Sequence, residues 1–157
     1  MSAHFVRHIL SAVVSIAAWA SPSIGLAQQI PQLDLPRIEL RAGMHRIVAQ
    51  VASRPIERQI GLMRRDSMLP FEGMLFVFEH PGVQCFWMKD TTLPLTAAFL
   101  ADDGAIVNLV DMQPLDENSH CSSAPVRFVL EMHQGWFASK GLKAGSQLSG
   151  SIFNKKE

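Results

Sequence analysis

The chain has 157 residues with 14 basic and 14 acidic side chains. That balance leaves no basic run or stripe to track a nucleic acid or an anionic membrane surface, so neither is an expected partner. The length suits one domain with its own core, and there is no internal repeat, low-complexity segment or second domain.

The N-terminus reads as a targeting segment. Arg7 and His8 form a basic head, residues 9–20 are an apolar run, and Gly25-Leu26-Ala27 puts small residues where a signal peptidase reads them. That order is a secretory signal, expected over residues 1–27. The run falls short of the roughly 20 residues needed to span a bilayer, so cleavage is expected over anchoring. Cleavage leaves 130 residues with a net charge near −1 and no further apolar stretch long enough to enter a membrane. Cys85 and Cys121 both lie in the exported part, where two thiols invite a structural disulfide. Closing that loop contributes about 4 kcal/mol on the chain-entropy account. Two separate thiols or a redox pair are the alternatives, although no Cys-x-x-Cys motif tunes the pair.

Residues 28–43 read as a polar, proline-containing tether, and residues 44–153 as a single β-rich domain ending in a charged tail, 154–157. From His45 the chain alternates as a strand, with Ile47, Ala49 and Val51 on one face. Ser53 and Pro55 then start a short helix whose Ile56, Ile60 and Met63 share a face, while Glu57, Arg58 and Arg64 look outward. Gly61 falls inside this helix, where glycine costs up to about 1 kcal/mol unless backbones pack closely.

Residues 74–78 form a continuous apolar strand, and Pro81-Gly82 suits a type II turn. The expected product is a hairpin with residues 84–88. Residues 95–100 and 105–110 are a second hairpin around Asp103-Gly104. Residues 114–125 are an irregular polar loop, and residues 126–132 alternate as a strand. A short helical segment at 136–140 and a last strand at 146–153 complete the chain. Six or so short strands with one or two short helices predict a mainly β fold: one antiparallel sheet curled into a small barrel-like domain.

The stretch 84–94 concentrates the chemistry. Phe86 and Met88 alternate towards a core, leaving Trp87 on the other face as a stacking wall. Lys89 can supply a charge for a carboxylate or phosphate, and Asp90 and Thr91 polar contacts. Asp111 and Glu131 leave strands between apolar residues and are candidate partners for Lys89 or Arg64.

Gly61-Leu62-Met63-Arg64, Glu72 to Phe78, Phe86-Trp87-Met88-Lys89-Asp90-Thr91, Val129-Leu130-Glu131, Gly135-Trp136 and Gly141 to Gly145 occur in an order that resembles domain-of-unknown-function family 192 (DUF192). The resemblance covers about residues 44–148 and implies a compact β-barrel-like domain, but no agreed biochemical role. The family's usual signature reads Phe-Trp-Met-Lys-Asn-Thr. Asp90 therefore stands where an asparagine is typical, turning a donor-and-acceptor amide into a carboxylate beside Lys89.

These readings favour a small exported ligand-binding or accessory module, with a pocket at Trp87, Lys89, Asp90 and Thr91 and with Asp111 and Glu131 at its rim. The ligand is a small molecule, and no cofactor is implied; the oligomeric state stays open. An enzyme on a small anionic or cell-envelope substrate, using Lys89 with Asp111 or Glu131, is the alternative. Copper held by histidine and sulfur is a minority alternative. His45, His80, His120 and His133 are not at ligand spacing, and a disulfide would remove the Cys121 thiolate, so no metal ligands are assigned. No Gly-x-Ser-x-Gly elbow or glycine-rich phosphate loop is present.

Overall fold

The computed structural model describes residues 30–153; the expected signal at 1–27 and the charged tail at 154–157 lie outside the described residues. Strand β1 (Arg37–Ala42) turns at Gly43 and pairs antiparallel with β2 (His45–Ala52). β1 falls inside the stretch read as a tether. Its alternation is real, with Leu40 and Ala42 buried and Ile38 half-buried, but the prolines just before it mask the pattern. The residues ahead of it are also held. The Gln32 side-chain amide donates to the carbonyls of Glu57 (2.7 Å) and Gly61 (2.9 Å), and Gln50 donates to Leu33 O (2.6 Å).

Helix α1 (Pro55–Ile60) carries the chain from β2 to β3 (Glu72–Gly82), which lies parallel to β2. Pro55 starts the helix as expected. Glu57 is not outward: its carboxylate turns back to accept the N–H groups of Ser53 (3.0 Å) and Arg54 (2.8 Å), and it is buried. Those free donors at a helix start hold an acidic side chain more strongly than solvent does. Gly61 is the C-cap, at φ +50°, rather than a mid-helix residue. A Cβ there would sit 3.2 Å from the Phe76 ring, so the helix end packs tightly on β3.

The expected hairpin of residues 74–78 with 84–88 does not form. β3 pairs instead with β8 (Val126–His133), with Met74 opposite Glu131 and Val77 opposite Phe128. Met74, Leu75 and Phe76 are all buried, which marks a strand covered on both faces and in the middle of its sheet. β4 is only Cys85–Phe86, and it pairs with β7 (His120–Cys121) in a separate ribbon. β8 pairs with β5 (Leu95–Leu100), which forms the expected hairpin with β6 (Ile106–Met112). Helix α2 (Trp136–Ser139) follows, and the last strand shortens to β9 (Leu148–Ser149), beside β1.

The seven-stranded sheet runs β6-β5-β8-β3-β2-β1-β9 and curls into a half-barrel, mainly β as expected. Leu148 N donates to Gly104 O (2.9 Å) and Ala105 bridges Gln147, tying the end of the chain to the β5–β6 turn. Two apolar clusters lie on its two faces. Leu40, Leu75, Leu100, Phe128, Leu130 and Phe137 pack with α2 and the C-terminal segment. Leu62, Met74, Phe76, Met88, Phe99 and Val129 lie on the face covered by α1 and the segment after β4.

Candidate ligand-binding crevice

The segment after β4 has little regular structure and is fixed by individual bonds. A Cys85–Cys121 disulfide holds its start, as expected for the two cysteines. Met88 N donates to Asp116 O (2.6 Å), and Leu115 N donates to Thr91 O (3.0 Å). Within the segment, Thr91 N donates to Met88 O (3.1 Å) and Thr91 Oγ1 to Lys89 O (3.1 Å). Phe86 and Met88 turn inwards as their alternation implied; Phe86 meets the Phe76 ring edge-on at 4.8 Å and Met88 is buried.

Asp90 sits in the left-handed region at φ +52°, and so does Arg64 at φ +59°. Arg64 N donates to Asp90 O (2.7 Å), and Arg64 Nη2 donates to Asp90 Oδ2 (2.6 Å). Arg64 is therefore the partner of Asp90, in place of the adjacent Lys89. Asparagine and aspartate are the side chains that best tolerate this backbone, so the asparagine usual in the family signature and the aspartate here meet one demand. Lys89 is exposed, with Nζ 5.3 Å from the centroid of the Trp87 ring, and forms no ion pair among the described residues. Trp87 itself is 47% exposed.

α1 and the Trp87–Asp90 turn face each other across a crevice. Its outer part, about 140 Å³, is lined by Gln59, Ile60, Met63, Arg64, Trp87, Lys89 and Asp90. An inner chamber of about 40 Å³ shares Gln59, Ile60, Met63 and Trp87 with it and adds Arg58, Phe76, Phe86, Met88, Thr91 and Glu131. Arg58 donates to the carbonyls of Ser53 and Val77 and stacks 5.0 Å from the Phe78 centroid; it has no carboxylate partner among the described residues.

Glu131 is the unusual group. It lies mid-sheet in β8, between Met74 and Ala97 on the neighbouring strands, and is 4% exposed. Its side chain makes no hydrogen bond or ion pair among the described residues. Burial pushes its carboxyl up to about 8, because an apolar surrounding disfavours the charged form. Glu131 is thus not a rim residue but an uncharged acid in the chamber wall, able to donate or accept one hydrogen bond and to take part in proton transfer.

Asp111 stands elsewhere. It faces Thr96 across the β5–β6 ladder, whereas Glu131 faces Ala97; adjacent strand positions point to opposite sides of a sheet. Asp111 is exposed, accepts the Thr96 hydroxyl, and lines a separate cavity of about 260 Å³ with Leu109, Phe137 and Leu142. The structure therefore brings together Trp87, Lys89, Asp90, Thr91 and Glu131, and leaves Asp111 apart. Lys89 bonds to neither carboxylate. His120 contacts Asp116 (3.1 Å) and His133 contacts Met68 O (2.7 Å), and no metal-ligand cluster of three or more occurs among the described residues. Arg58, Gln59, Ile60 and Met63 of the opposite wall were not read as site residues; Gly61-Leu62-Met63-Arg64, one of the quoted motifs, was the available signal.

The model of a family described as Uncharacterized ACR, DUF192, matches residues 38–150. Two crystal structures are similar. One, from Sinorhizobium meliloti and labelled a candidate transcription regulator, is 33% identical with a TM-score of 0.74, over 78% of this chain and 99% of that one. The other, a protein of unknown function from Novosphingobium aromaticivorans, is 29% identical with a TM-score of 0.69, over 76% of this chain and 92% of that one. No curated protein matches the chain.

Proposed function

The chain belongs to DUF192, a family without an assigned role, and we propose that it is an exported ligand-binding or accessory module of the cell envelope. Its ligand is a small molecule held in the crevice between α1 and residues 87–91. One observation carries this reading: Glu131 is buried, opens on a chamber, and has no partner within the protein. Its oxygens can be solvated only from the chamber, and a fold that keeps an acid with no protein partner beside a cavity needs a reason. A ligand that completes its hydrogen bonding is that reason. Trp87 supplies a stacking wall, Lys89 a positive charge at the mouth, and the Arg64–Asp90 pair and Thr91 fix the turn that carries them.

Export is supported by the order of basic, apolar and small residues in 1–27 and by a disulfide, which suits an oxidising compartment. No helix among the described residues is long and apolar enough to cross a membrane. Native mass spectrometry of protein purified from its own compartment tests the binding role. A bound small molecule is expected, and Trp87→Ala should lose it. An apo mass that stays unchanged after incubation with envelope extract contradicts the proposal.

A catalytic role is the second reading, favoured by the same acid. A carboxyl that titrates near 8 can give or take a proton at neutral pH. In that reading Glu131 is the acid or base and Lys89 holds an anionic substrate at the mouth.

A further inference from the structure

The charges around the crevice narrow the chemistry of its ligand. Three cations line it, Arg58, Arg64 and Lys89, against one ionised carboxylate, Asp90, which Arg64 already holds at 2.6 Å. Arg58 and Lys89 are left without a counter-charge among the described residues, so the crevice attracts an anion and repels a cation. Inside, Arg58 and Glu131 line the same small chamber. Its volume of about 40 Å³ has room for one small polar head and little else, while the outer 140 Å³, walled by Ile60, Met63 and Trp87, has room for an apolar body.

We propose that the crevice binds a small organic acid as its carboxylate, with the head between Arg58 and Glu131 and the apolar body along Ile60, Met63 and Trp87. This rests on the crevice being a ligand site. Arg58 provides N–H donors and charge, and Glu131, in its acid form, donates its O–H to a carboxylate oxygen. Such charge-assisted bonds are about twice as strong as neutral ones. Once ionised, Glu131 would oppose the ligand's own charge, so binding is strongest with the acid protonated and weakens as the pH rises through about 8. The titratable or charged groups on the elements around Glu131 are Glu57 and Arg58 of α1, Arg64 and Arg65 after it, Glu72, Glu79 and His80 of β3, Lys89 and Asp90 of the segment after β4, and Arg127 and His133 of its own strand. Replacing Glu131 separates its own contribution to the pH dependence from theirs.

The test is a ¹H–¹⁵N NMR titration of the purified protein with butyrate, 1-butylamine and 1-butanol, which share a body and differ in the head. Butyrate should shift the amides of Met88, Lys89 and Glu131 and bind about tenfold or more tightly than the other two. Its affinity should fall about tenfold or more between roughly pH 6 and pH 9.5. Glu131→Gln, which keeps a donor without a titrating proton, should bind butyrate with that pH dependence largely removed. A preference for 1-butylamine or 1-butanol, or a pH dependence that survives Glu131→Gln, overturns the carboxylate assignment and leaves the crevice as a site. If none of the three probes shifts a crevice amide, the binding role falls with it.

Discussion

The two faces of the sheet carry one candidate carboxylate each, and they are treated in opposite ways. Asp111 is exposed and accepts a hydrogen bond from the Thr96 hydroxyl, whose oxygen in turn accepts Gly135 N (3.2 Å). Every polar atom named there has a partner or solvent, so ordinary structure explains the arrangement. Glu131 is buried among Met74, Ala97 and Phe76, has no partner, and borders a chamber. An acidic residue at a strand end is a weak functional signal, while a buried acid with no protein partner, mid-sheet and beside a cavity, is a strong one. A packed fold replaces an idle buried acid at little cost, since a leucine of similar volume avoids its desolvation.

The largest expected effect lies on the Glu131 side. Replacing both Cys85 and Cys121 by serine should cost up to about 4 kcal/mol in chemical denaturation. The loss of order should concentrate in the amides of residues 84–94 and spare those around Asp111. Equal disturbance of both faces would show that the disulfide does not specifically hold the crevice wall.

The second effect is a pH dependence. The Glu131 carboxyl is raised in the folded protein, so the folded state holds a proton that the unfolded chain releases above about 4.5. Its contribution to stability is therefore most favourable below about 4.5 and declines as pH rises to about 8. Glu131→Gln removes that decline. At pH 7 the variant should exceed the parent by about 3 kcal/mol in urea denaturation, with the gap closing towards pH 4.5. Asp111→Asn should leave the slope unchanged, which separates the two faces directly.

Smaller effects sharpen the picture of the turn. Asp90→Asn keeps a side chain suited to the left-handed backbone and loses a half-exposed ion pair, so it should cost under about 1 kcal/mol. Asp90→Ala loses both and should cost about 1–2 kcal/mol, with a matching loss of any ligand that Trp87 and Lys89 hold. Asp111→Asn stands last, at about 0.5 kcal/mol or less, with crevice binding unaltered.

The legible part of this fold is local. The β5–β6 hairpin, β2, β8 and the start of α1 follow from alternation, Asp103-Gly104 and Pro55. Strand partners were not legible, because the apolar run of β3 fits any neighbour that buries both its faces. Chain proximity suggested β4, whereas the sheet supplies β2 and β8. Lys89 and Trp87 stood out through residue type and do line the crevice. The face of Glu131 was legible too, since it alternates with Leu130 in β8. Its burial was not, because only α1 and the disulfide-held segment, brought over that face by tertiary packing, hide it from water. The Arg64–Asp90 clamp depends on two left-handed residues 26 positions apart, which no local pattern discloses.

Burial keeps Glu131 an uncharged acid in the crevice wall at neutral pH. Carboxyl ¹³C chemical shifts followed through a pH titration, with Glu131→Gln used to assign the resonance, measure this directly. A midpoint near 8 is the expected result. A midpoint near the ordinary glutamate value of about 4.3 would instead mean a charged, compensated carboxylate, with no acid proton to offer a ligand.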